Sequence, residues 1–169
     1  MVMERRKGGA DALALHETTN TVLLDLRMRP DAREMPEARR AALEACAAAG
    51  FSEDDCASLD LALGEALANA IVHGARRMTG TAAPPGDQDV RVSVWDYRDR
   101  LFVEVRNSGH SFDPPLPPYV MPSPDEDATH GRGLPLMELL TDALLVCRGD
   151  IDTGGASTFL IKSLNSDER

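Results

Sequence analysis

Aromatic side chains are scarce in this chain, with four Phe, two Tyr and one Trp among 169 residues. Stacked rings therefore cannot dominate the core, and Ala, Leu, Val and Ile must fill it. Long apolar runs are missing as well. None approaches the roughly 20 residues of a membrane-spanning helix, so no such helix is expected. Basic residues are outnumbered, 18 Lys and Arg against 28 Asp and Glu, for a net charge of -10. That balance argues against a general nucleic-acid binder, which needs a basic footprint to displace counterions. It would suit the steering of a basic partner protein. The basic residues near the start are followed by no apolar segment long enough for a secretory signal, so none is expected. Only three cysteines occur, Cys46, Cys56 and Cys147, with neither a Cys-x-x-Cys nor a paired zinc spacing. Reduced thiols in a cytoplasmic protein are the expectation.

What is present centres on LALGEALANAIVHG, Leu61 to Gly74. At about 100° per residue, Glu65, Asn69 and His73 fall at roughly 0°, 40° and 80°, a narrow polar stripe on one helix face. Leu63, Leu67, Ala70 and Ile71 take the opposite face, while Leu61, Ala68 and Val72 cover much of the remainder. A surface helix carries a broad polar face. This pattern predicts a buried rod with a thin polar seam.

The rest of the chain reads as one domain, residues 21–169, behind a polar tail over residues 1–20 that is expected to be mobile. TVLLDLRM (Thr21 to Met28) predicts a strand, and the Ala-rich segment from Glu37 to Ala49 predicts a helix stopped by Gly50. Ser52, with Asp55 three residues on and an acidic first turn, predicts the start of the next helix, which runs to about Gly74. A Gly/Pro/Thr-rich loop is expected over Met78 to Gln88. Period-two alternation over Asp89 to Tyr97, a tight link, and Leu101 to Asn107 predict an antiparallel hairpin. Six prolines then crowd between Pro114 and Pro124, as in a lid or binding loop, taken as about 113–131. A helix over Leu134 to Thr141 and two strands, Ala143 to Arg148 and Ala156 to Leu164, complete the reading. Helices on one face of a largely antiparallel sheet, an α+β fold, are expected.

Three segments stand in order: EALANAIVHG (Glu65 to Gly74), NSGHSFDP (Asn107 to Pro114) after a strand, and HGRGL (His130 to Leu134) before a helix. Together they resemble the N, G1 and G2 boxes of the GHKL ATPase superfamily. Within it the chain looks most like anti-sigma factor serine kinases of the RsbW type. The resemblance spans roughly Thr21 to Leu164. It implies the Bergerat fold, a two-layer sandwich of helices on one face of a mixed, largely antiparallel sheet. It implies ATP and Mg²⁺ as cofactors, a sigma factor and a STAS-type anti-anti-sigma protein as partners, and a homodimer. It also implies Glu65 as the catalytic acid-base residue and Asn69 as the Mg²⁺ ligand, with His73 near the phosphates or the lid.

Elementary chemistry agrees with those roles. A hard cation that keeps several waters needs only one or two protein oxygens, and the Asn69 amide can give one. A carboxylate one turn away, Glu65, could take the proton of an attacking hydroxyl or orient it. Backbone N–H groups of Gly131, Arg132, Gly133 and Leu134 can face phosphates where the glycines carry no side chain. Arg132 either adds a cation to the polyphosphate or points to solvent. Gly109 belongs to the second glycine box, and Thr158 resembles the threonine that family members place beside adenine. One position departs. Family members usually have Asp where Asn107 stands, and an amide oxygen accepts the adenine amino hydrogen bond without charge assistance. That loss, near 1 kcal/mol, would weaken nucleotide binding several-fold. Two rivals share the fold. One is a non-catalytic regulatory module, and the other is the catalytic domain of a sensor histidine kinase, which should carry an upstream helical hairpin with a phospho-accepting His.

Overall fold

A computed structural model describes residues 20–74, 89–97, 99–108, 116–122, 131–150 and 154–164. Outside them lie residues 1–19 of the expected tail, the expected loop over residues 78–88, Gly109 and most of the Pro-rich lid. In chain order the elements are β1 (Thr21–Met28), a 3-10 turn (Ala32–Glu34), α1 (Met35–Ala48), α2 (Glu53–Gly74), β2 (Val90–Asp96), β3 (Arg100–Asn107), α3 (Gly133–Leu140), β4 (Ala143–Asp150) and β5 (Gly154–Ser163). The strands form one five-stranded sheet in the order β1-β2-β3-β5-β4.

All four described ladders are antiparallel, so the expected α+β fold on a largely antiparallel sheet forms, with no parallel ladder among the described strands. The reason is topological. β3 and β4 are joined through α3 and do run the same way, because both are antiparallel to β5. The final hairpin folds β5 into the place between them, so the parallel relationship exists but no parallel ladder forms. Two helices separate β1 from β2, and the chain returns against β1 in the opposite sense.

Local chemistry explains the helix ends. Asp31 caps the 3-10 turn by accepting from the Arg33 N–H at 2.9 Å. Pro36 then sits in the first turn of α1, where a missing N–H costs nothing, so the helix opens before the expected Glu37. At the other end Gly50 has φ +89°. Gly50 N–H donates to Ala47 O at 3.0 Å and Phe51 N–H to Cys46 O at 3.3 Å, the pairing of a Schellman stop. Ser52 caps α2 as expected, its hydroxyl accepting from the Asp55 N–H at 3.2 Å. The same hydroxyl donates to the Asp55 carboxylate at 2.8 Å.

The core lies between the helices and one sheet face. Ala38, Ala42 and Cys46 of α1, and Leu59, Leu63, Ala66, Leu67 and Ala70 of α2, pack over Val90, Val92 and Val94 of β2 and Leu101, Val103 and Val105 of β3. Burial pushes the Cys46 thiol up to about 12, with the nearby Cys56 adding to it, so this thiol stays protonated at neutral pH. One expectation fails. α2 is not buried all round, since Leu61 is 55% exposed and Val72 54%. Sheet, α1 and α3 cover three sides of α2, and the edge carrying these two residues is left open.

Candidate functional site

The polar stripe of α2 meets the start of α3. Glu65 and Asn69 are each half-buried. A Cβ added to Gly133 would stand 3.1 Å from Glu65 Oε2, 3.3 Å from Asn69 Nδ2 and 3.7 Å from Asn69 Oδ1. The first residue of α3 is therefore seated directly on both side chains, and only glycine leaves that space open. Neither Glu65 nor Asn69 makes a side-chain hydrogen bond or ion pair among the described residues. Half-buried polar groups normally find partners. Here a carboxylate and an amide are held side by side with hydrogen-bonding capacity unspent.

The start of α3 adds donors. Pro135 has no N–H, and the Leu136 N–H is spent on Arg132 O at 3.0 Å. The N–H groups of Gly133 and Leu134 remain at the positive end of the helix, a setting that favours an anion. Gly131, with φ +92°, turns the chain into this helix through a conformation that side-chain-bearing residues rarely adopt. Arg132 is exposed and forms no ion pair among the described residues.

The sheet carries two further candidates on its helix-facing side. Asn107, 7% exposed, ends β3 opposite Val90 on one side and Ala156 on the other. The alternation that buries Leu101, Val103 and Val105 puts Asn107 on the same helix-facing side. Thr158 pairs with Val105 and so shares that face, two residues along β5 from Ala156. The backbone of His73 is in α2, and its side chain lies outside the described residues, as does Gly109.

Two residues of this region escape sequence reasoning. Gly155, with φ +87°, brings β5 so close to β3 that an added Cβ would stand 2.1 Å from the Asn107 carbonyl oxygen. The only sequence signal was the Gly-Gly pair before the last strand. Glu138, on the second turn of α3, accepts the Tyr119 N–H at 3.0 Å and so ties the described part of the Pro-rich segment to α3. Desolvation raises the Tyr119 phenol, and the Glu138 carboxylate adds to the shift. No spacing in the sequence announced that contact, which spans 19 residues.

Comparison with known proteins bears on the family and the fold. A family model described as a histidine kinase-like ATPase domain matches residues 28–162. Two sequences of the serine-protein kinase RsbW from Bacillus licheniformis are each 36% identical over 125 residues, covering 69% of this chain and 70% and 69% of their own lengths. The crystal structure of the RsbU and RsbW domains of Rv1364c from Mycobacterium tuberculosis superposes with a TM-score of 0.54 at 17% identity. That match covers 83% of this chain but 31% of the other, so it speaks for the fold alone. The chain belongs to the histidine kinase-like ATPase family, and within it resembles the serine-protein kinase RsbW.

Proposed function

We propose that this chain is a cytoplasmic, ATP-dependent serine/threonine-protein kinase that also acts as an anti-sigma factor. It binds a sigma factor and phosphorylates a STAS-type anti-anti-sigma protein, whose unphosphorylated form draws it away from the sigma factor. The observation that carries the reading is the seating of Gly133 on Glu65 and Asn69, two side chains with no partner among the described residues. Likeness to RsbW at 36% identity supports the choice of a serine kinase over a histidine kinase.

The donor set fits a magnesium nucleotide. Among the described residues no cluster of three or more His, Cys, Asp or Glu could hold a metal by itself. A magnesium ion here would take one oxygen from Asn69 and its other ligands from phosphates and water. When bound, it neutralises the charge that develops on the transferring phosphoryl group. Glu65 receives or orients the proton of the attacking hydroxyl. The N–H groups of Gly133 and Leu134, with Gly131 and Arg132 before them, hold the phosphates; by the family resemblance alone, His73 belongs near the phosphates or the lid and Gly109 among the nucleotide-binding residues. Asn107 and Thr158 face the base.

The open sheet face supports a homodimer. Val22 is 58% and Leu145 52% exposed there. The half-buried Trp95, Phe102 and Phe159 lie between them.

Calorimetry with ATP·Mg²⁺ and a radiolabel transfer assay on a STAS-type protein test the reading. Glu65→Ala should lower phosphotransfer at least about a hundredfold while leaving nucleotide affinity within about threefold. Undiminished transfer would remove Glu65 from its role. No binding at millimolar nucleotide would favour the non-catalytic module, the rival that Asn107 brings into play.

A further inference from the structure

We infer that the open edge of α2 is the docking strip for the protein that accepts the phosphoryl group, and that it selects a hydroxyl bordered by apolar side chains. The inference rests on the kinase reading above and deepens it by stating what the acceptor must present.

Helical spacing places the strip. At about 100° per residue, Leu61, Ala68 and Val72 all lie within about 60° of Glu65, on the side away from Asn69. Leu61 stands one turn before Glu65 and Val72 two turns after it, so the carboxylate lies between them in one row. Leu61 and Val72 are each more than half exposed. The sheet, α1 and α3 occupy the other sides of the helix, and Gly133 closes on Glu65 and Asn69 from α3. A hydroxyl from outside the chain therefore reaches Glu65 across the edge that Leu61 and Val72 border.

Composition sets the chemistry of what docks. An exposed helix edge ordinarily carries several charged residues. From Cys56 to Val72 the only acidic or basic residues are Asp60 and Glu65. Asp60 is spent on Arg39 of α1, at 2.7 and 2.5 Å. Glu65 is thus the single charge over about four turns of open edge. A partner that covers Leu61 and Val72 removes apolar surface from water on both sides of the carboxylate. Water leaving the same strip also strengthens the hold of Glu65 on a hydroxyl proton. The occupant that fits is a protein surface whose Ser or Thr hydroxyl sits among aliphatic side chains. A hydroxyl set among charged residues would press those charges against Leu61 and Val72 without partners.

The test is steady-state phosphotransfer from ATP·Mg²⁺ to a STAS-type protein by the full chain, with Leu61→Gln, Val72→Gln and the double variant. Both positions are exposed and Gln is a good helix former, so the substitutions spare the fold. Covering a side chain that is already half buried gains about three- to tenfold in affinity. Each variant should raise KM for the acceptor protein by about that factor, and the pair by at least about tenfold, with kcat within about threefold of native. ATP·Mg²⁺ affinity, read by calorimetry, should stay within about twofold. Leu61→Met, which keeps the apolar surface, should keep the native KM. An unmoved KM in the double variant overturns this inference and leaves the proposed function standing. An equal loss of ATP·Mg²⁺ affinity also overturns it, since the two residues would then belong to the nucleotide site. A changed oligomeric state, or loss of a bound sigma factor, at unmoved KM assigns the edge to a second copy or to that partner and likewise overturns it. Absence of transfer by the native chain overturns the kinase reading itself, and this inference with it.

Discussion

Gly133 carries the most information per atom in this molecule. Its absent side chain is what allows the start of α3 to rest on Glu65 and Asn69. A methyl group there would sit 3.1 Å from the carboxylate oxygen and 3.3 Å from the amide nitrogen, so the two side chains must move apart or α3 must lift. Gly133→Ala is therefore expected to reduce ATP·Mg²⁺ affinity by about tenfold or more, while global stability changes by less than about 1 kcal/mol. Paired nucleotide titration and denaturant melts check both halves. Gly131 differs in kind, because its demand is conformational, φ +92°, and not spatial. That Gly131 and Gly133 stand at the opening of a helix was legible in the sequence. The reason for Gly133 was not, because no local rule says which side chains lie opposite the first residue of a helix.

At the scale of elements, the helix termini obey local chemistry closely enough to be read in advance. The expected strand at Thr21 to Met28 is β1 with the same bounds, and Ser52 begins α2 as its hydroxyl promised. Ser52→Ala should cost about 1 kcal/mol, since it removes the acceptor for the Asp55 N–H and also the hydroxyl that donates to the Asp55 carboxylate. A shift in urea midpoint at unchanged slope measures it. Misreadings also have physical causes. α1 begins at Met35 because Pro36 is favourable in a first turn. β5 begins at Gly154 and β4 ends at Asp150, so the hairpin is longer than the Gly-rich turn suggested. Strand pairing across a hairpin recruits residues whose own preference is for turns.

For the whole molecule, the end of the sheet away from the candidate site is tied down by a lysine. Lys162 Nζ, on β5, lies 3.1 Å from Asp55 Oδ1 at the start of α2 and 3.7 Å from Asp142 Oδ1 before β4. The Lys162 side chain is 17% exposed and that of Asp55 12%, so this pair is largely desolvated. Removing one partner leaves a buried charge uncompensated, which costs more than the pair contributes. Lys162→Met should therefore lower stability by about 2–4 kcal/mol, seen as a fall in the denaturant midpoint. ATP affinity should change little, because the site lies at the other end of β3. Comparable losses of stability and affinity would mean that the two ends of the sheet are coupled.

By itself the sequence determined which elements form and which side chains share a face, because caps, glycine stops and the periods of helix and strand act within a few residues. The three motif segments were legible through their resemblance to those of a known family. What faces the stripe of α2, and that Leu61 and Val72 border an open edge, was decided only when the helices packed. The press of Gly155 on Asn107 and the all-antiparallel ladders likewise arose only in the assembled sheet. Helical period gives the direction a side chain leaves its own axis. Only contacts between residues far apart in the chain establish what it meets there.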